Sequence, residues 1–281
     1  MVYHHTEDIQ KALLPYRKKN RSIGLVPTMG ALHQGHLELI AQSQVENAIT
    51  VVTIFVNPTQ FDNAGDLKKY PRSLSKDVAM IETVPGNFIV FNPSPEHLYE
   101  GNVSSKSYDF GGLETEMEGT HRTGHFDGVG TVLNLFFRAL KPTRAYFGEK
   151  DFQQLQIVKK LVEIEALPVE IVGCSIVRET SGLAMSSRNK RLNEAQLEKA
   201  TLLHKTLVGA SEQFETHSIE AIKKWAVAQF EKNPDVRLEY FEIAETNTLK
   251  TASEKKKNTS YRAFLAAFVG PVRLIDNMAL N

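Results

Sequence analysis

Apolar positions along the first 176 residues alternate between two spacings. Mainly apolar or β-branched runs at 22–26, 48–56, 88–91, 144–147 and 169–175 predict strands. Between them, apolar residues recur at helical spacing over 7–18, 37–46, 74–83, 129–140 and 152–165. Strands that are apolar throughout are buried on both faces. The alternation therefore predicts an α/β domain over residues 1–176, with a parallel sheet between helical layers. From residue 177 the pattern changes. Long amphipathic helices are predicted over 193–214 and 219–231, strands over 237–244 and 261–269, and a last strand over 271–278. The lysine-rich stretch 248–260 reads as a solvated loop. Residues 177–281 are expected to form a second, smaller α+β domain.

Polar residues collect where the predicted strands of the first domain end, the edge at which parallel sheets bind ligands. After strand 22–26 comes 27–37, PTMGALHQGHL, running into a helix. His33 and His36 are three apart, so on a helix beginning at or before His33 both side chains point the same way. Helix N-termini hold phosphate, and imidazoles can stabilise charge developing on a leaving pyrophosphate. An ordinary surface pair is the alternative. Zinc fits less well, because the single cysteine, Cys174, is remote in sequence. After strand 48–56, Asn57 and Gln60 offer two amides suited to a polar acid, or simply a turn with an exposed glutamine.

After strand 144–147 come Gly148, Glu149, Lys150, Asp151 and, one turn on, Gln154. Asp151 reads as a helix cap, and Lys150 as a partner for phosphate or carboxylate. Ser186, Ser187 and Arg188 lie in a glycine-initiated loop able to wrap phosphate oxygens. Arg122, His125 and Asp127 lie in a glycine-punctuated polar stretch over 118–128, read either as a cover for a site or as a solvated connector. Asp77 is a candidate magnesium neighbour, and no metal ligand is otherwise assigned.

Composition narrows the setting. The 281 residues carry 33 basic and 33 acidic side chains, a formal net charge of zero that gives no general attraction to nucleic acid or acidic membranes. One cysteine allows no internal disulfide and fits a reducing compartment. The amino terminus lacks the pattern of a signal peptide, and no apolar run approaches the roughly 20 residues that span a bilayer. A soluble, cytoplasmic protein is expected, with small-molecule substrates and neither nucleic-acid nor membrane partners.

The segments 27–37 (PTMGALHQGHL), 55–61 (FVNPTQF), 122–129 (RTGHFDGV), 146–154 (YFGEKDFQQ) and 182–189 (GLAMSSRN) follow one another in this order. The set closely resembles the pantoate–β-alanine ligase family of the HIGH-motif nucleotidylyltransferase superfamily, over residues 24–191 with a compatible tail. The resemblance implies a Rossmann-like nucleotide- and pantoate-binding domain, a small C-terminal lid domain and a homodimer. It implies that ATP, with Mg2+, activates (R)-pantoate as pantoyl adenylate with release of pyrophosphate. β-Alanine then displaces AMP to give pantothenate. By position, Met29, Gly30, Ala31, Leu32, His33, Gln34, Gly35 and His36 would contact ATP, with His36 in the family's proton-donor role and His33 on the phosphates. Gly148, Glu149, Lys150 and Asp151 would contact the nucleotide, Lys150 bridging phosphate and the pantoate carboxylate and Asp151 reaching the ribose. Val177 would lie by the adenine, and Met185, Ser186, Ser187 and Arg188 over the phosphates. Gln60 and Gln154 would hold pantoate, with Gln60 also beside β-alanine. One departure is Thr123, where the family usually has proline; it frees a backbone angle and weakens any role for Arg122.

Overall fold

The computed structural model describes residues 1–61, 64–70 and 73–281. In chain order it carries β1 (Val2–Tyr3), α1 (Thr6–Lys18), β2 (Ile23–Thr28), α2 (Gln34–Glu46), β3 (Ile49–Ile54), α3 (Ala64–Lys69), α4 (Leu74–Ile81), β4 (Phe88–Phe91), α5 (Pro95–Leu98), α6 (Met117–His121), α7 (His125–Leu140), β5 (Arg144–Gly148), α8 (Phe152–Ile164) and β6 (Glu170–Cys174). There follow α9 (Glu194–Gln213), α10 (Ile219–Glu231), β7 (Val236–Glu245), β8 (Tyr261–Val269) and β9 (Val272–Ala279). Two compact units result. One comprises Met1–Glu149 and Gln154–Ser175, the other Lys150–Gln153 and Ile176–Asn281.

In the first unit six parallel strands lie in the order β1-β4-β3-β2-β5-β6. The chain builds outward from β2 through β3 to β4, then returns to the other side of β2 for β5 and β6. The order therefore reverses between β2 and β5, which is where ligands bind in open parallel sheets. The strand β3, ITVVTI, is buried at every position, as its unbroken β-branched run demands. The two-residue strand β1 extends the sheet beside β4, a pairing that no local pattern announced.

The helix α7 begins at residue 125, four positions before the sequence pattern places it. Its early glycines are there for contact. A β-carbon on Gly128 would stand 2.5 Å from the Thr59 carbonyl oxygen, and one on Gly130 would stand 3.0 Å from the Phe110 ring. Glycine thus lets the backbone around Gln60 lie directly on α7.

The second unit is a three-stranded antiparallel sheet, β7-β8-β9, packed by α9 and α10. Leu203, Leu207, Ile222 and Phe230 from the helices share a core with Phe241, Ile243 and Leu265 from the strands. Among the described residues no helix is long and apolar enough to cross a membrane.

Candidate active site

The turn leaving β2 is held from a distant part of the chain. Gly30 and Ala31 both adopt left-handed backbone angles, φ +81° and +52°. That geometry turns the Ala31 and Leu32 amides onto the buried Asp77 carboxylate, at 3.1 and 2.8 Å. Asp77 lies in the first turn of α4, where the helix dipole also favours its charge. Both of its oxygens serve the turn, which gives Asp77 a positioning role. Asp77→Ala should lower stability by roughly 2–3 kcal/mol, since two charged hydrogen bonds are lost from a left-handed turn. Urea unfolding checks this, and an unchanged midpoint would contradict it.

Helix α2 starts three residues before the predicted position, with His33 at its N-cap. The Gly35 amide donates to His33 Nδ1 at 3.1 Å, and the His33 amide donates to His36 Nδ1 at 3.3 Å, a reciprocal capping box made of imidazoles. The rings stand 4.1 Å apart, centre to centre. Because each Nδ1 accepts from the backbone, each neutral ring carries its proton on Nε2. The pair therefore carries two Nε2–H groups at a helix N-terminus, on rings whose planes are tilted by 48°.

The second motif meets the first. Gln60 Nε2 lies 3.1 Å from Met29 Sδ, and Gln60 Oε1 accepts from Asn57 Nδ2 at 3.1 Å. The sequence pattern offers Asn57 either as an amide for a polar acid or as part of a turn. It is 1% exposed and bonded within the protein, Nδ2 also donating to the Gly128 carbonyl at 3.0 Å. The stretch 122–129 closes the same cluster and is largely helical from residue 125, not a solvated connector. His125 Nδ1 lies 2.9 Å from the Gln60 carbonyl oxygen, an acceptor only, so Nδ1 carries the proton. Nε2 then accepts from Arg122 Nη1 at 3.0 Å. Arg122 thus has a definite task despite Thr123: with Glu118 at 4.0 Å it orients His125, which holds the Gln60 backbone.

Gly148 ends β5 on the other side of the switch point. A β-carbon there would meet no described protein atom within 4 Å, so protein packing does not require this glycine. Cys174, at the end of β6, is buried, and desolvation pushes its thiol up to about 11. It stays protonated at neutral pH and is no nucleophile. Iodoacetamide at neutral pH should leave activity intact, and rapid inactivation with labelling at Cys174 would refute that.

Residues 149–151 form a tight helical turn that runs straight into α8, leaving Asp151 inside a continuous helical run and not at a cap. Its carboxylate lies 3.7 Å from Lys150 Nζ. Gln154 is half-buried near the start of α8. In the second unit, Val177 and Met185 are joined across a hairpin, the Met185 amide donating to the Val177 carbonyl at 2.9 Å. Arg178 forms a two-pronged ion pair with the buried Asp276, at 2.7 and 3.0 Å, and also holds the Gly182 carbonyl. Ser186 Oγ accepts from the Arg188 amide at 3.2 Å while its own O–H remains a donor. Met185, Ser186, Ser187 and Arg188 are all half-buried.

Paired imidazoles at the N-terminus of the helix that follows a central strand, beside the switch point of a parallel sheet, make an α/β site of the kind suited to anionic ligands. A sequence model of the pantoate-beta-alanine ligase family matches residues 1–279. The chain is 50% identical over 281 residues to a pantothenate synthetase of Flavobacterium psychrophilum, covering 100% of both sequences. It superposes on the crystal structure of pantothenate synthetase from Thermus thermophilus with TM-score 0.91 at 35% identity, covering 99% of each chain. It is also similar, at TM-score 0.78 and 32% identity over 100% of this chain and 97% of the other, to the pantoate-beta-alanine ligase of Francisella tularensis in complex with beta-gamma ATP and beta-alanine. The chain belongs to the pantoate–β-alanine ligase family, whose reaction is the ATP-dependent condensation of pantoate with β-alanine.

Proposed function

We propose that this chain joins pantoate to β-alanine in two steps, with pantoyl adenylate between them. A carboxylate oxygen of pantoate attacks the α-phosphorus of ATP, and the bond to the β-phosphate oxygen breaks to release pyrophosphate. The β-alanine amine then attacks the acyl carbon, AMP leaves with the bridging oxygen, and the amine nitrogen loses a proton. Carboxylate oxygen is a poor leaving group and AMP a good one, which is the chemical purpose of the first step.

The observation that carries this reading is the imidazole capping box, whose two Nδ1 atoms accept from the backbone and leave Nε2–H as the donor of each ring at the N-terminus of α2. Preorganised donors of this kind stabilise charge developing on a departing pyrophosphate. Met29 to His36 are assigned to ATP, with His33 and His36 on its phosphates. Gly148 to Asp151 are assigned to the nucleotide; the open space in front of Gly148 supports close approach by a ligand. Lys150 supplies positive charge at the phosphates and pantoate carboxylate. Val177 is assigned to adenine, and Met185, Ser186, Ser187 and Arg188 to the phosphates. Gln60 and Gln154 take pantoate, and Gln60 also serves β-alanine. The second unit takes the lid role, the active form is a homodimer, and the setting is the cytoplasm.

ATP is taken as its magnesium complex. Phosphate oxygens and water are taken as the main magnesium ligands, as is usual for this small, strongly hydrated ion. Incubation with ATP, pantoate and β-alanine should yield AMP, pyrophosphate and amide in equal amounts. A dinucleotide product, or AMP formed without amide, would overturn the proposal.

A further inference from the structure

We propose that Tyr99 is a positioning residue for this reaction: acting through Asn57, its hydroxyl holds the Gln60 amide with Nε2 turned toward the substrate. The proposal rests on the assignment of Gln60 to pantoate made above.

A side-chain amide can turn over, exchanging donor and acceptor, unless partners of fixed polarity hold it. Asn57 has such partners on both sides. The Gly128 carbonyl, which only accepts, lies 3.0 Å from Nδ2, and the Tyr99 and Thr59 hydroxyls donate to Oδ1 at 2.6 and 3.1 Å. Nδ2 therefore faces Gln60, whose Oε1 accepts its proton. That fixes Gln60 in turn: Nε2 points away from Asn57, to the side where it meets Met29 of the ATP loop. Tyr99 follows α5, is 7% exposed, and its oxygen also lies 2.9 Å from the Thr59 hydroxyl, so the two hydroxyls and Oδ1 close a triangle. Burial pushes the phenol above its ordinary range, which keeps it a donor. The result is an amide whose donor side is fixed: one Nε2–H rests on Met29 Sδ, and the other is the donor assigned to the oxygens of a hydroxy acid.

The test compares three variants of the full-length enzyme by steady-state kinetics in pantoate and in ATP. Tyr99→Phe removes one O–H at nearly constant volume; the pantoate KM should rise about three- to tenfold while the ATP KM stays unchanged. Asn57→Asp presents an acceptor to Gln60 and should turn its amide over, raising the pantoate KM by more than Tyr99→Phe does. A general structural weakening would move both substrates together or lower kcat alone, and either result overturns the proposal. Should Asn57→Asp fail to fold, Tyr99→Phe decides alone. Gln60→Ala separates the two readings. If it leaves the pantoate KM unchanged, the Gln60 assignment falls and Tyr99 with it. If it raises that KM and Tyr99→Phe does not, only the Tyr99 role is overturned.

Discussion

Replacing His36 with alanine is expected to slow formation of pantoyl adenylate by roughly a hundredfold to a thousandfold, the usual effect of deleting one preorganised donor to transition-state charge. The side chain does two things at once. Its Nδ1 accepts the His33 amide and helps cap α2, and its Nε2–H is the donor assigned to phosphate. Loss of the cap alone should lower stability by about 1 kcal/mol. His36→Asn separates the two functions, because the amide oxygen occupies the place of Nδ1 while nothing replaces Nε2. Its thermal midpoint should stay near that of the parent, while pantoate-dependent exchange of labelled pyrophosphate into ATP falls as far as in His36→Ala. Full exchange activity in His36→Asn would show that only the cap matters.

Gln60→Glu should reduce kcat/KM for pantoate by about a hundredfold or more, with ATP binding little changed. Asn57 Nδ2 keeps hold of one carboxylate oxygen, so the second oxygen takes the position of Nε2. A donor becomes a buried negative charge facing an anionic substrate. Like charges brought together in such a setting cost several kcal/mol, and each 1.4 kcal/mol is a factor of ten. Kinetics with pantoate varied at saturating ATP measure this. A variant whose ATP KM collapses while pantoate is unaffected would move Gln60 out of the acid site.

Much of the first unit was legible because burial on both faces writes itself as continuous β-branched or apolar runs, and β3 is the plainest case. The paired histidines stood out because polar residues at a strand end have few structural reasons to be there. What stayed hidden acts from far along the chain. Asp77 lies 45 residues beyond Leu32, the amide it accepts, and Tyr99 lies 42 beyond Asn57. In local context an aspartate in a first helical turn and a tyrosine behind a short helix are ordinary. The start of α7 was hidden for a different reason: Gly128 reads as loop punctuation, whereas close contact with the Thr59 backbone is what excludes a side chain there. Asn57 and Gln60 look equivalent in sequence, and only partner polarity separates the buried organiser from the amide at the motif.

The most direct test follows oxygen. Pantoate labelled with 18O in its carboxylate should transfer one labelled atom to AMP during turnover with ATP and β-alanine, leaving pyrophosphate unlabelled. Label appearing in pyrophosphate or inorganic phosphate, or AMP free of label, would contradict attack of the acid on the α-phosphorus and the roles given to the paired imidazoles.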